Sequence, residues 1–414
     1  MSPTSLLIDN IGELTTNDES LEMSTAGGRL HGAAVVIEHD RVVWVGEAAH
    51  APATDERFDA AGRALLPGWV DSHTHLVFGG DRTAEFEARM AGQAYAAGGI
   101  NVTVEATRAA SDAELDANLR RLVGEARRGG TTTIETKTGY GLTVEDEVRA
   151  ARIAGAHADA VTFLGAHVVP AGAEPGEYLD LVTGPMLDAV APYVSAVDVF
   201  CERGAFDAEA SARVLTTAKA HGLATRVHGN QLGHGPGVQL AVAHGSLSVD
   251  HVGFLEPADF SALAESWAAW RSGSGERGTV ATVLPACDLS TRMPLAPARE
   301  LLDAGAEIAI ASNCNPGTSY TSSMSFCVAT AVLQMGLTIQ EAVRAATLGG
   351  AIALGMDEDG WKDPRGFAQP AVGRIRPGAR ADLHLLEAPS VTHLAYRPGM
   401  PLTAAVWRAG GRVA

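Results

Sequence analysis

The sequence predicts an α/β protein: a (β/α)8 TIM-like barrel joined to a small composite β-sandwich that the N- and C-terminal segments build together. Three observations predict it. Eight apolar, strand-like runs alternate with amphipathic helical stretches through the middle of the chain, the rhythm of parallel βα units. Both ends carry β-patterns without helices. Polar, chemically useful residues gather where the apolar runs stop, the end of the strands at which such barrels carry their active sites. The expected division is 1–62 with 368–414 for the sandwich and 63–367 for the barrel.

The elements follow in order. Runs 33–37 and 41–46 flank His39-Asp40, which reads as a hairpin turn. Barrel strands are expected at 64–73, 131–137, 160–167, 196–202, 224–228, 248–252, 279–284 and 307–313. Helices are expected at 112–128, 144–156, 208–221 and 339–354. The segment 373–378 leads into a strand at 381–386, and a final run at 404–408 turns at Gly410-Gly411.

Length and composition agree. A chain of 414 residues exceeds what one compact core usually serves, and 46% hydrophobic residues are enough for a large core. The net charge of −18 argues against nucleic acid or an anionic membrane as partner. A small anionic substrate remains compatible, because one local arginine can outweigh a distant acidic surface that salt screens. The four cysteines, Cys201, Cys287, Cys314 and Cys327, are scattered without CxxC spacing and read as free thiols in a reducing cytoplasm. Residues 1–7 lack a basic region followed by a long apolar segment, so no signal peptide is expected.

The chemistry begins at His73-Thr74-His75, which closes the first barrel run. On a strand, positions i and i+2 share a side, so both imidazoles can aim at one point. His228 closes the fifth run and His251 the sixth. Three neutral nitrogens from His73, His75 and His228, plus an open position, match the usual arrangement for catalytic zinc. His251 is the candidate for polarising a substrate carbonyl or moving a proton. The remaining histidines fall mostly on termini, helices or turns and read as structural or surface groups.

These residues resemble the amidohydrolase superfamily. Longer strings resemble its imidazolonepropionase family: 73–82 (HTHLVFGGDR), 137–142 (KTGYGL), 162–167 (TFLGAH), 198–202 (DVFCE) and 315–319 (NPGTS). The resemblance implies hydrolysis of a cyclic amide. Metal-activated water opens the ring of 4-imidazolone-5-propionate to give N-formimino-L-glutamate, in histidine degradation. It implies one zinc or iron ion per subunit and, by analogy of architecture, a homodimer. Arg82 matches the residue that grips the substrate carboxylate, a task suited to a guanidinium fork. Tyr140, His167, Asn315, Gly317 and Thr318 match further substrate contacts. Gln231 stands three residues past His228, where the family carries Glu or Gln, and is a candidate for both catalysis and substrate binding.

The pattern breaks at the eighth strand. The metal-facing residue there is normally aspartate, and this chain has Asn313. An amide oxygen can ligate a metal, but it is neutral and cannot accept a proton from water. Three readings follow: Asn313 is a neutral ligand and the proton moves through His251 or Gln231; the enzyme is impaired; or another residue, such as Cys314, ligates. Alternative functions are therefore a related deiminase or amidohydrolase acting on a small carboxylated substrate such as formiminoglutamate, and a ligand-binding relative that has lost its chemistry.

Overall fold

The computed structural model describes residues 5–21, 28–92 and 99–414. The first four residues, part of the stretch read for a signal segment, lie outside the described residues. Strands β1 (Ser5–Thr15), β2 (Arg29–Glu38), β3 (Arg41–Glu47), β4 (Glu56–Asp59) and β5 (Ala64–Pro67) open the chain. The β2–β3 hairpin turns at His39-Asp40 as expected, with His39 in a left-handed conformation at φ 52°.

Eight parallel strands follow: β6 (Trp69–Asp71), β7 (Thr131–Lys137), β8 (Ala160–Ala166), β9 (Ala196–Cys201), β10 (Ala224–Gly229), β11 (Ser248–His251), β12 (Val280–Val283) and β13 (Ile308–Ile310). They form one sheet in sequence order. The sheet is nearly closed into a barrel past its ends. There the Asn313 amide donates to the His73 carbonyl (3.0 Å) and the His75 amide to that of Cys314 (2.9 Å). A two-stranded pair, β14 (Trp361–Lys362) and β15 (Ala368–Gln369), comes next, then β16 (Leu383–Leu386), β17 (Thr403–Arg408) and β18 (Gly411–Arg412). The last three return to the N-terminal strands in one mixed sheet ordered β18-β17-β16-β5-β1-β2-β3, with β4 beside β1. Its core packs Ile8, Leu14, Val35, Leu65, Leu383 and Trp407 away from water, the main driving force for joining the two chain ends.

The eighth strand, expected over 307–313, ends at Ile310, so Asn313 lies in the loop beyond it. Two further elements differ in kind from expectation. The run 64–73 is two strands in two sheets, broken at Gly68. A Cβ on Gly68 would lie 2.2 Å from Thr132 Oγ1, so only glycine lets the chain cross there. The helix expected over 339–354 is interrupted by a π-turn at Ala345–Gly349, where the Thr347 hydroxyl bonds back to the Val343 carbonyl at 2.6 Å.

The chain divides into two compact units. One comprises the residues up to Asp71 with Gly124–Thr133 and Ser323–Ala414; the other comprises Ser72–Val123 and Ile134–Ser322. The residues that form the site lie in the second. Among the described residues, no helix is long and apolar enough to cross a membrane.

Candidate active site

The histidines predicted to converge do so. His73 and His75 sit just past β6, and their Nε2 atoms are 3.2 Å apart. His73, His228 and His251 each offer a nitrogen within 4.8 Å of the others, all buried. Burial pushes His73, His75 and His251 well below the ordinary imidazole pKa, so they are neutral at physiological pH, the form that ligates metals. His251 has φ 82° and the next residue, Val252, has φ 48°. Left-handed backbone is costly for such side chains, and strain of this kind clusters at functional sites.

Beneath the histidines lies a buried set of charges that the sequence reading did not anticipate. His73 Nδ1 donates to Asp250 Oδ2 at 2.6 Å, which fixes the tautomer and leaves the Nε2 lone pair for a ligand. His228 Nδ1 lies 3.0 Å from Asp198 Oδ2, close but off line for a hydrogen bond. Lys137 Nζ reaches Asp198 Oδ2 (2.9 Å) and Glu135 Oε1 (3.0 Å), while Arg226 Nη2 reaches Asp250 Oδ2 (3.1 Å). Burial pushes both aspartates up, but nearby His228 and the Lys137 ammonium at Asp198, and the Arg226 guanidinium with the His73 hydrogen bond at Asp250, overcome it, holding both carboxyls ionised. Lys137 and Arg226 set against Glu135, Asp198 and Asp250 leave one negative charge under the histidines. Carboxylates behind imidazoles and a net negative floor suit a bound cation.

Asn313 follows β13, beside His73 where the barrel closes, with φ 52°, a conformation asparagine tolerates. Its Oδ1 is buried without a hydrogen-bond partner, and its amide nitrogen lies 3.5 Å from Thr318 Oγ1. An unpartnered buried carbonyl oxygen in the same cleft as the imidazoles adds a donor that fits a divalent metal. Cys314 is fully buried, away from the cleft lining.

The cleft is lined by His75, Arg82, Tyr140, His167, His228, Gln231, His251, Asn313, Asn315 and Thr318, all singled out from sequence, and by Ile100, Val168 and Phe200, which were not. Three predicted residues act less directly than expected. Asn315 spends its side chain on the loop: Oδ1 accepts the Gly317 and Thr318 amides and Nδ2 donates to the Asn313 carbonyl and Thr318 hydroxyl. Gly317 does not line the cleft; a Cβ there would lie 2.1 Å from Arg82 Nη1. Arg82 pairs bidentately with Glu85, Nε at 2.8 Å and Nη2 at 2.6 Å, so Nη1 is the nitrogen left to reach a ligand.

Two more contacts are well positioned. His167 Nδ1 donates to the Gly139 carbonyl at 3.0 Å, and burial pushes its pKa down to about 3. The Tyr140 loop is held by Glu147, whose carboxylate accepts the amides of Gly139, Gly141 and Leu142. Gly139 has φ +104°, and a Cβ would lie 2.6 Å from the Leu164 carbonyl. The Gln231 amide donates to the Glu202 carboxylate, while its Nε2 is 4.0 Å from Cys287 Sγ. Cys287 was also missed. Burial and the nearby Asp288 push its thiol up to about 12, opposed by hydrogen bonds from Thr318 and Asn313.

Residues 64–410 match the model of the amidohydrolase family. An imidazolonepropionase from Arthrobacter sp. strain FB24 is 64% identical over 412 residues, covering 99% of both chains. One from Saccharopolyspora erythraea is also 64% identical, over 410 residues and 99% of both. Among solved structures, a triazine hydrolase from Arthrobacter aurescens aligns with a TM-score of 0.73 at 17% identity, over 99% of this chain and 94% of its own. An adenosine deaminase from Xanthomonas campestris with bound zinc aligns at 0.67 and 21%, over 98% and 92%. The distant structures share the fold, and the close relatives share the whole length. The chain belongs to the amidohydrolase family and, within it, to the imidazolonepropionases.

Proposed function

We propose that this enzyme opens the ring of 4-imidazolone-5-propionate with water to give N-formimino-L-glutamate, using one zinc or iron ion held by His73, His75, His228 and Asn313. The observation that carries the reading is the convergence of these ligands, His251 and Arg82 on a single cleft. A divalent ion held there supplies Lewis acidity for the ring carbonyl and activates the attacking water.

The chain's own residues do the rest. Arg82, steadied by Glu85, presents Nη1 to the propionate carboxylate. Tyr140 and His167 contact the ring, and Asn315 and Gly317 hold the loop and guanidinium in place with Thr318 beside the ligand. His251, neutral through burial, accepts the proton lost by water and returns it to the departing ring nitrogen. Gln231 orients the water or ring by hydrogen bonding but cannot take a proton. Residues 1–62 with 368–414 form a composite β-domain and 63–367 the catalytic barrel in this reading. The four free cysteines and the charge of −18 support a cytoplasmic enzyme, a homodimer in this reading, without nucleic-acid or membrane partners.

The neutral Asn313 favours one second reading, a relative that binds the ligand but turns it over poorly. Metal content by elemental analysis, followed by loss of imidazolone absorbance, separates the two for the wild type and Asn313→Asp. Turnover by the wild type with one ion per chain is expected. Turnover only in the aspartate variant supports the impaired relative, and none in either protein with a full metal site removes the assignment.

A further inference from the structure

We infer that Cys287, Asp288 and His251 form a second cation site, which takes a soft divalent ion and silences the enzyme by engaging His251. A sulfur, a carboxylate oxygen and a ring nitrogen from these residues all lie within 4.8 Å of one another, and all three residues are buried. Cys287 and Asp288 open the helix Pro285–Thr291 directly after β12, and His251 ends β11, so neighbouring strands bring them to one rim. Independently, His251 Nδ1 is buried without a hydrogen-bond partner in a residue only 2% exposed. An imidazole with an unused nitrogen beside a thiol is an incomplete polar arrangement that a metal would complete.

The donor set selects the ion. Thiolate, imidazole and one carboxylate favour zinc or cadmium over magnesium or calcium, which take mainly oxygen. Asp288 Oδ2 already accepts the Ala296 amide at 3.2 Å, which orients the carboxyl without using both oxygens. Binding displaces the Cys287 proton to solvent, and the sulfur then bonds the ion. Gln231 and Asn313 border the same sulfur, so an ion there would also crowd the catalytic cleft.

The silencing rests on the proton-transfer role proposed for His251; the binding does not. The test is cadmium titration of enzyme carrying one zinc per chain, followed by equilibrium dialysis, by the ultraviolet thiolate-to-cadmium charge-transfer band and by turnover. A second equivalent should bind, the band should rise with it, and turnover should fall in proportion. The first site offers no sulfur, so the band reports the second site alone. Cys287→Ser should lose the band, and both it and Asp288→Asn should bind the second ion at least about tenfold more weakly. Each protein's inhibition is read against its own rate without cadmium. Failure to bind a second equivalent, or a band that persists in Cys287→Ser, overturns the site. A second ion that binds without slowing turnover overturns His251 as a shared ligand. A band without any turnover in the zinc enzyme counts against the proposed reaction while the cation site stands.

Discussion

Two sides of the barrel mouth are built on opposite principles. On the β6–β11 side, His73 and His228 are each backed by a buried aspartate, and Lys137 and Arg226 keep both aspartates ionised. On the β13 side, Asn313 is neutral and its oxygen has no partner. The first side is rigid and electrostatically committed before any ion arrives. The second is held by backbone: the Asn313 amide on His73 and its carbonyl on Asn315 Nδ2. In the proposed metal site, charge for the cation comes from below the histidines and not from Asn313. The proposed site can thus hold a cation without the aspartate that the resemblance leads one to expect at this position.

The largest effect should come from breaking the charged side. Lys137→Met leaves Glu135 and Asp198 buried without their cation, and losing one member of a buried ion network costs about 3–5 kcal/mol. Chemical denaturation should show that loss in the metal-free chain; a change under about 1 kcal/mol would mean the network is not the foundation described. Asp250→Asn keeps the shape but weakens the brace on His73, and zinc affinity by chelator competition should fall about 10–100-fold.

At the mouth, Arg82→Gln should raise KM about tenfold or more and leave kcat within a few-fold, since a carboxylate grip is worth about 1.5–3 kcal/mol. An unchanged KM would reduce Arg82 to a structural partner of Glu85. The smallest effect is in pH. Burial pushes His167 and His384 from the ordinary 6.5 down to about 3, so both fold neutral and must gain protons on unfolding in acid. Stability of the metal-free chain should be complete above pH 6.5 and decline as pH falls from 6.5 towards 3. His384→Gln should make that decline shallower; an identical slope would contradict the assignment.

Much of this was legible in the sequence, because period-two apolar runs and their polar ends are local signals. The strands β7 to β13 and the placing of His75, Tyr140, His167, Gln231 and Asn313 at strand ends come from that pattern; Arg82 and the substrate-contact roles come from the family resemblance. The charged floor was not found, although the signal existed. Arg226 stands two residues before His228 and Lys137 two after Glu135, so each pair shares an inward face within a buried strand. Asp198 and Asp250 likewise interrupt apolar strands. The break at Gly68 and the site-facing Cys287 depend on distant packing that no local pattern encodes. Arg82 with Glu85 three residues on reads equally as a helix ion pair or a ligand grip; the fold shows the ion pair and leaves Nη1 for the proposed grip.

The claim that matters most is that the neutral Asn313 side chain completes the metal site. Chelator competition for zinc across wild type, Asn313→Asp and Asn313→Ala tests it directly. Affinity should fall in the order Asp, Asn, Ala at position 313, with about tenfold or more lost on truncation while the fold is retained. Equal affinity in the wild type and Asn313→Ala would contradict it.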